Sequence, residues 1–114
     1  MASTHTKVRG MKVVRTSWIS DAGGDASETT PVISGRVMRV VTNPGGAAAP
    51  TDDYDVVIND VDGVDVMAGA LADRDTADTE QVIPDPPVAV DGALTVVVSN
   101  AGNAKDGDVV IYYQ

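Results

Sequence analysis

Few residues of this 114-residue chain could carry catalysis, and their spacing does not favour it. The chain has one histidine, His5, and no cysteine, and no serine stands in a nucleophile-elbow motif. His5 lies in a polar stretch that has neither strand nor helix periodicity. Because a weak nucleophile needs a base within hydrogen-bond reach, we predict no catalytic residue and no enzymatic activity.

Two sets of three aspartates lie close together in the sequence: Asp60, Asp62 and Asp65, and Asp73, Asp75 and Asp78. Calcium prefers oxygen ligands, but the first set lacks the bidentate glutamate and the further ligands of a calcium-binding EF loop. A paired-carboxylate mechanism is a second alternative. Aspartates in turns more often bond nearby backbone N–H groups, and Asp62-Gly63 is typical of a tight hairpin. We therefore predict turns at both sets, without a metal or another cofactor.

Alternation of apolar and polar residues predicts the strands between these turns. The C-terminal part is the clearest, because residues 94–99 and 109–113 alternate on either side of the turn-rich residues 100–107. We predict that these two strands pair as a hairpin, and its loop lacks phosphate-loop spacing. Earlier strands are predicted at residues 12–20, 27–33, 36–42, 54–60 and 79–83, with a turn at Ser34-Gly35 and at most one helical turn within residues 68–77.

The fold class that follows is all-β: a small antiparallel β-sandwich or jelly-roll-like barrel of seven or eight short strands. Residues 1–11 are predicted to form a flexible N-terminal arm, and residues 12–114 a single β-sandwich domain. The core has no phenylalanine, so smaller apolar residues must fill it, and partners that bind the folded state would stabilise it. No apolar run reaches the roughly 18 residues of a membrane span, so we expect neither a signal peptide nor a membrane partner.

The net charge of −9 conceals a difference between the two parts of the chain. Residues 1–41 carry six cations and three anions, whereas residues 42–114 carry two cations and fourteen anions. One interpretation is an acidic surface that water solvates; the other is a dipolar subunit whose basic side docks on an acidic partner. The acidic total argues against nucleic acid as a partner, because phosphate contacts need a clustered cationic face.

The motifs that remain are strand and turn signatures: Tyr54-Asp55-Val56-Val57-Ile58, Asp60-Val61-Asp62-Gly63-Val64-Asp65-Val66, Val90-Asp91-Gly92, Leu94-Thr95-Val96, and Val98-Ser99-Asn100-Ala101-Gly102-Asn103-Ala104-Lys105, with Trp18, Ser20-Asp21-Ala22 and Ile33-Ser34-Gly35. Together they resemble a family of small virion proteins of tailed bacteriophages, over residues 12–114. The resemblance implies a small all-β protein that decorates or cements the capsid at local symmetry axes, often as a trimer. It supplies no active-site residues.

The same resemblance implies the major capsid protein and further copies of this chain as partners. It also implies a location on the capsid exterior, after synthesis in the host cytoplasm. Five cations are our candidates for contacts with the capsid or with another subunit: Lys7, Arg9, Lys12, Arg36 and Arg39.

Two alternatives to the capsid role stay open. One is a tail or neck component of the same particle. The other is a recognition module whose loops, residues 43–53 and 100–107, bind a glycan or protein on the host surface. Tyr112 and Trp18 are the aromatic residues that could then serve as a platform for a sugar.

Overall fold

The computed structural model describes residues 4–8, as backbone, and residues 10–114. Its seven strands are β1 (Thr4–Val8), β2 (Met11–Ile19), β3 (Ala26–Pro44), β4 (Asp55–Asn59), β5 (Glu80–Val82), β6 (Val88–Ser99) and β7 (Asp106–Tyr113). All strand pairs are antiparallel, and the described residues contain no helix, so the predicted all-β class is confirmed. None of these residues forms a helix long and apolar enough to cross a membrane.

Strand β3 connects the two layers of the sandwich. The strands follow the order β1-β2-β7-β3-β6-β4, and β5 also pairs with β3. Residues 26–37 of β3 pair with β6, whereas residues 37–44 pair with β7, and residues 40–42 also pair with β5. The first layer is therefore β4, β6 and the first part of β3. The second layer is β1, β2, β7, β5 and the remainder of β3.

One apolar core fills the space between the layers. Strand β2 contributes Val14 and Trp18, and β4, β6 and β7 contribute the alternate apolar residues that the sequence pattern predicts. Strand β3 contributes Ile33, Val37 and Val40, which do not follow a single alternation because the register shifts between Val37 and Arg39. The Trp18 and Tyr54 rings meet across the core with centroids 5.7 Å apart. Leu71, from the connection between β4 and β5, is 1% exposed and closes the core on that side.

Residues that signal a turn lie inside continuous strands and do not end them. Ser34-Gly35 does not turn the chain, because β3 runs on through both residues to Pro44. Pro31 cannot donate a ladder hydrogen bond, and the sheet accommodates it by a shift of register between Thr29 and Val32 rather than by ending the strand. Likewise β6 continues through Asp91-Gly92, so fewer and longer strands form than the turn signals indicate.

The predicted C-terminal hairpin is wrong in its pairing. Strands β6 and β7 form over the predicted residues, but β3 lies between them and each bonds to it. Residues 100–105 therefore carry the chain from one layer to the other instead of forming a hairpin loop. A long strand with two free edges offered both partners more backbone hydrogen bonds than they could make with each other.

The N-terminal prediction also needs correction. Thr4–Val8, expected in a flexible arm, form β1 and pair with β2 in the register Thr4 opposite Arg15 to Val8 opposite Met11. The chain has enough β-favouring residues there to add an edge strand to β2, although they show no alternation of apolar residues. Residues 1–3 and 9 lie outside the described residues.

Candidate functional site on the outer face of the second layer

The register of β2, β7 and β3 brings nine side chains together on the side of the second layer that faces away from the core. They form three rows across the strands: Val13, Tyr112 and Arg39; Arg15, Val110 and Val41; and Ser17, Asp108 and Asn43. Directly opposed residues of neighbouring strands lie on the same side of a sheet, which makes each row a set of contacting neighbours. We call these nine residues the outer face.

The first row stacks a cation on an aromatic ring. The Arg39 guanidinium carbon lies 4.7 Å from the centroid of the Tyr112 ring. Its Nε also donates a hydrogen bond of 2.7 Å to Oε1 of Gln81, from β5. These two contacts fix the position of the guanidinium beside the ring, and its two terminal nitrogens keep donors for a partner.

The middle row is apolar and covered. Val41 and Val110 point away from the core, and yet they are only 8% and 2% exposed. Arg15 lies directly opposite Val110, and Gln81 of β5 lies directly opposite Val41, so paired side chains on the same side of the sheet limit their exposure to water. The outer face is therefore a packed surface rather than a set of isolated exposed side chains.

The third row is a polar network centred on Asp108. The Ser17 hydroxyl donates to Oδ1 of Asp108 over 2.6 Å, and the Arg15 guanidinium donates to Oδ2 over 3.2 Å. The side chain of Arg15 is 48% exposed, so most of its donors face solvent. Beside Asp108, the Asn43 amide oxygen accepts a hydrogen bond of 2.9 Å from the Thr79 hydroxyl.

A cleft of about 420 Å³ opens at this third row. It lies between the end of β2, residues 43–46 and residues 106–108, and Ile19 stands at its rim, 69% exposed. Two glycines shape it by lacking a side chain. A Cβ on Gly107 would lie 2.8 Å from the Trp18 ring, and a Cβ on Gly45 would overlap the Asp106 carboxylate.

The structure distributes the five predicted contact residues over different surfaces. Arg39 lies on the outer face, and exposed Arg36 precedes it on β3, where its backbone N–H and C=O bond to Gln114. Lys12 is half-buried, with Nζ 5.5 Å from the centroid of the Tyr113 ring. Lys7 lies opposite Lys12 in the β1–β2 register, and Arg9 lies outside the described residues.

Residues 52–80, which we call the acidic connection, carry ten carboxylates and one cation, Arg74. Asp60 accepts from the backbone N–H groups of Asp62 and Val64, and Asp65 accepts from those of Met67 and Gly69. The prediction that these aspartates build turns is therefore confirmed.

Like charges and backbone donors shift two carboxyl groups of the acidic connection in opposite directions. The neighbouring carboxylate of Asp52 raises the pKa of Asp53 by repulsion between like charges. The carboxylates of Asp73, Asp55 and Asp75 also raise the pKa of Asp53. The backbone N–H groups of Ala77 and Asp78 lower the pKa of Asp75. The electrostatic potential around these carboxylates is therefore strongly negative. Backbone N–H donors stabilise the charged carboxylate locally, as at Asp75.

Sequence reasoning missed Asp108, Ser17 and Arg15 as a group. Alternation in β2 places Arg15 and Ser17 on one side of that strand, and this part was predicted correctly. The partner strand was not identified, because Ser17 and Asp108 are 91 positions apart in sequence and no local signal indicates their pairing. The pairing of β2 with β7 is the information that assembles the site.

No protein-family model matches the sequence, and neither does any curated protein sequence. Among solved structures, a fucose binding module of Streptococcus pneumoniae, SpX-3, is similar with a TM-score of 0.50 and 11% identity, over 90% of this chain and 72% of that one. The periplasmic g-type lysozyme inhibitor PliG of Aeromonas hydrophila gives 0.48 and 12%, over 96% and 92%. FlhE gives 0.45 and 11%, over 91% and 97%. At such identities, the likeness to SpX-3 shows that the chain shares a β-sandwich fold, and nothing beyond the fold.

Proposed function

We propose that this protein is a non-enzymatic structural protein of a tailed-bacteriophage particle, which decorates the capsid shell and cements it across capsomer boundaries. The observation that supports this role is the separation of charge on the fold. Four of the six cations in residues 10–114 lie on β2 and β3, the strands that flank β7, whereas the acidic connection contains β4, at the opposite end of the strand order. A subunit with such a dipole has one side suited to an acidic partner and one side suited to water.

The outer face would be the capsid-facing surface. Its antiparallel strands hold Arg39 and Tyr112 in fixed positions, so little side-chain entropy is lost when a partner binds. Symmetry on a shell repeats the contact many times, and a modest interface per subunit then adds up to a large stabilisation of the particle. A trimer around a local symmetry axis would multiply the contacts within each decoration unit in the same way.

The deciding experiment mixes purified protein with expanded capsids that lack it. We expect the protein to co-sediment with the shells and to raise the temperature at which they disrupt. Arg39→Ala should weaken the binding by about tenfold, since charge-assisted and cation–π contacts of partly buried arginines are worth about 1–2 kcal/mol. Lys105→Ala is the matched control, because it removes one positive charge at a residue outside the outer face.

Failure of the wild-type protein to bind shells would remove the capsid proposal. Binding confined to tails or necks would support the other virion role instead. Equal losses in the Arg39 and Lys105 variants would show that net charge, and not the outer face, drives the contact.

A recognition module is the second candidate function, and one observation favours it. The two segments predicted as ligand-binding loops, residues 43–53 and 100–107, both contribute to the cleft of the third row, and Trp18 borders it as well. This role needs no capsid. A pull-down on host cells that gives specific capture by the wild-type protein would support it, and loss of that capture in a cleft variant would locate it.

A further inference from the structure

We propose that the cleft is a binding site for one or two neutral sugar units, with Asp108, Asn43 and Arg15 as the groups that bond their hydroxyls. The proposal rests on the recognition function given as the second candidate and does not need the capsid role. A cleft of about 420 Å³ falls within the range of pockets that enclose small ligands.

The side chains of the third row offer adjacent donors and acceptors. Asp108 uses one acceptor site on each oxygen for Ser17 and Arg15, and a carboxylate has about four such sites. Arg15 uses one of its five N–H donors to bond Asp108. The Asn43 amide oxygen accepts from Thr79, which leaves the Asn43 NH₂ group to donate to a ligand. Neighbouring hydroxyls of a sugar both donate and accept, so they match an acceptor placed between two donors.

The charges of the cleft argue against an anionic ligand. Asp106 and Asp108 would repel an anion such as a phosphate, and Arg15, the one cation of the lining, is already paired with Asp108. Because Arg15 and Asp108 already neutralise each other, a ligand with hydroxyl groups can bond both without breaking their ion pair.

The apolar part of the lining fits the carbon face of a sugar ring. Ile19 at the rim and Pro44 opposite it supply aliphatic surface, and residues 45 and 46 are glycines that expose only backbone. Beneath Gly107, the closest atoms of Trp18 include Cε2, the carbon bonded to the indole nitrogen. That indole N–H is buried and has no hydrogen-bond acceptor among the described residues.

An extended peptide is the less favourable occupant. Peptides that bind β proteins commonly add a strand to a free sheet edge. Strand β7, which contributes residues 106–108 to the cleft, offers no such edge there, since it is paired on one side with β2 and on the other with β3 throughout residues 107–109. A strand cannot add to β7 at this position, so a compact polar ligand suits the cleft better than an extended peptide.

The test is a titration of the ¹⁵N-labelled full chain with a panel of methyl glycosides of neutral hexoses and deoxyhexoses, followed by amide chemical shifts. We expect at least one glycoside to shift amides of residues 15–19, 43–46 and 106–108. Asp108→Asn and Asn43→Ala should each weaken the binding by about tenfold or more, the usual effect of removing one partner of a polar contact. Asp91→Asn, an exposed acid on β6, is the matched control and should bind as the wild type does.

A plugged cleft gives an independent check. Gly46→Leu adds a side chain at a position where a Cβ meets no atom within 4 Å, so the fold should persist while the cleft fills. Loss of glycoside binding in this variant, with an otherwise unchanged amide spectrum, supports the proposal. Three outcomes would overturn the proposal: glycoside binding that persists in Gly46→Leu, amide shifts that map to another surface, or no response to any glycoside.

The two proposals fail separately. If host-cell capture persists in Gly46→Leu, the recognition function stands and the cleft assignment falls. If glycosides bind but shells and cells do not, the cleft assignment stands without either biological role. Capture of a peptide by the cleft, competed by no glycoside, would also overturn the sugar assignment.

Discussion

The outer face and the acidic connection hold their charged groups in opposite ways. In the acidic connection, Asp60 and Asp65 bond backbone N–H groups two and four residues further along, at 2.8–3.1 Å. On the outer face, Asp108 bonds side chains of another strand, 91 and 93 residues away in sequence. A carboxylate that shapes its own turn is fixed by local structure, whereas one bonded to side chains of another strand is positioned by the register of the sheet.

This difference separates structural charge from charge available for binding. Ten carboxylates look like the chemically richest part of the sequence, yet three of them, Asp60, Asp65 and Asp75, bond backbone N–H groups of their own turns. The outer face has far fewer charged residues, but strands on both sides fix each of them. The comparison therefore predicts large stability effects and small binding effects in the acidic connection, and the reverse on the outer face.

The largest effect is expected where the acidic connection reaches the core. Leu71→Ala should lower the free energy of unfolding by about 2–5 kcal/mol, because it removes a side chain that is 1% exposed. Urea unfolding followed by Trp18 fluorescence measures the loss. Val64→Ala, at a residue 58% exposed in the same connection, should change it by less than about 0.5 kcal/mol. Equal effects of the two substitutions would mean that the connection is not anchored through the core.

The next effect concerns the turn built by Asp65. Asp65→Ala should cost about 1–2 kcal/mol, since two backbone N–H groups lose a charged acceptor. Asp62→Ala is the matched control, because within the described part of the chain the Asp62 carboxylate accepts no hydrogen bond. Comparing the urea midpoints of the two variants isolates the turn bonds from the change of net charge. A cost for Asp62→Ala as large as that for Asp65→Ala would contradict the structural role.

Alkaline pH tests Tyr54, which anchors the acidic connection in the core. Tyr54 contacts Trp18 in the core and pairs with Arg74 of the acidic connection, and burial raises the pKa of Tyr54 to about 12. Below about pH 10 the Tyr54 phenol is protonated in both the folded and the unfolded chain. Between about pH 10 and 12 the phenol loses its proton in the unfolded chain first, so the free energy of unfolding should fall as pH rises.

Unfolding curves at pH 9, 10, 11 and 12 measure that fall. Tyr54→Phe should reduce the slope without abolishing it, because burial also raises the pKa of Tyr113. The same slope in Tyr54→Phe as in the wild type would show that Tyr54 does not link pH to stability.

The smallest effect on stability is expected at the outer face. Arg15→Ala breaks an ion pair whose partners are 48% and 27% exposed, so the free energy of unfolding should fall by at most about 1 kcal/mol. Thermal unfolding at low and at high salt measures it, and the difference from the wild type should shrink as salt increases. A loss of several kcal/mol would place Arg15 among the structural charges and remove the contrast between the regions.

Local features of the fold could be predicted from the sequence. Alternation of apolar and polar residues identified the inward residues of β2, β4, β6 and β7, because successive side chains of a strand point to opposite faces of the sheet. The Asp-rich turns were predictable for the same reason, because donor and acceptor lie within four residues of each other. Both kinds of prediction need only neighbouring residues.

The pairing of strands could not be predicted in the same way. Pro31 and Ser34-Gly35 look like breaks, and the continuity of β3 at these residues depends on β6, a distant strand that pairs with it there and holds its backbone extended. The cleft combines the ends of β2, β3 and β7, and each contributes residues that look unremarkable on their own strand. Register, set by the whole sheet, brings them together.

The position of β7 has a consequence for the order in which the chain can fold during synthesis. This strand, residues 106–113, lies between β2 and β3, which are made much earlier. The second layer therefore cannot close until β7 has left the ribosome, and β2 and β3 wait with unpaired backbone groups until then. Folding of that layer is dominated by contacts between residues far apart in sequence, which makes it slow and leaves the partly synthesised chain exposed to aggregation.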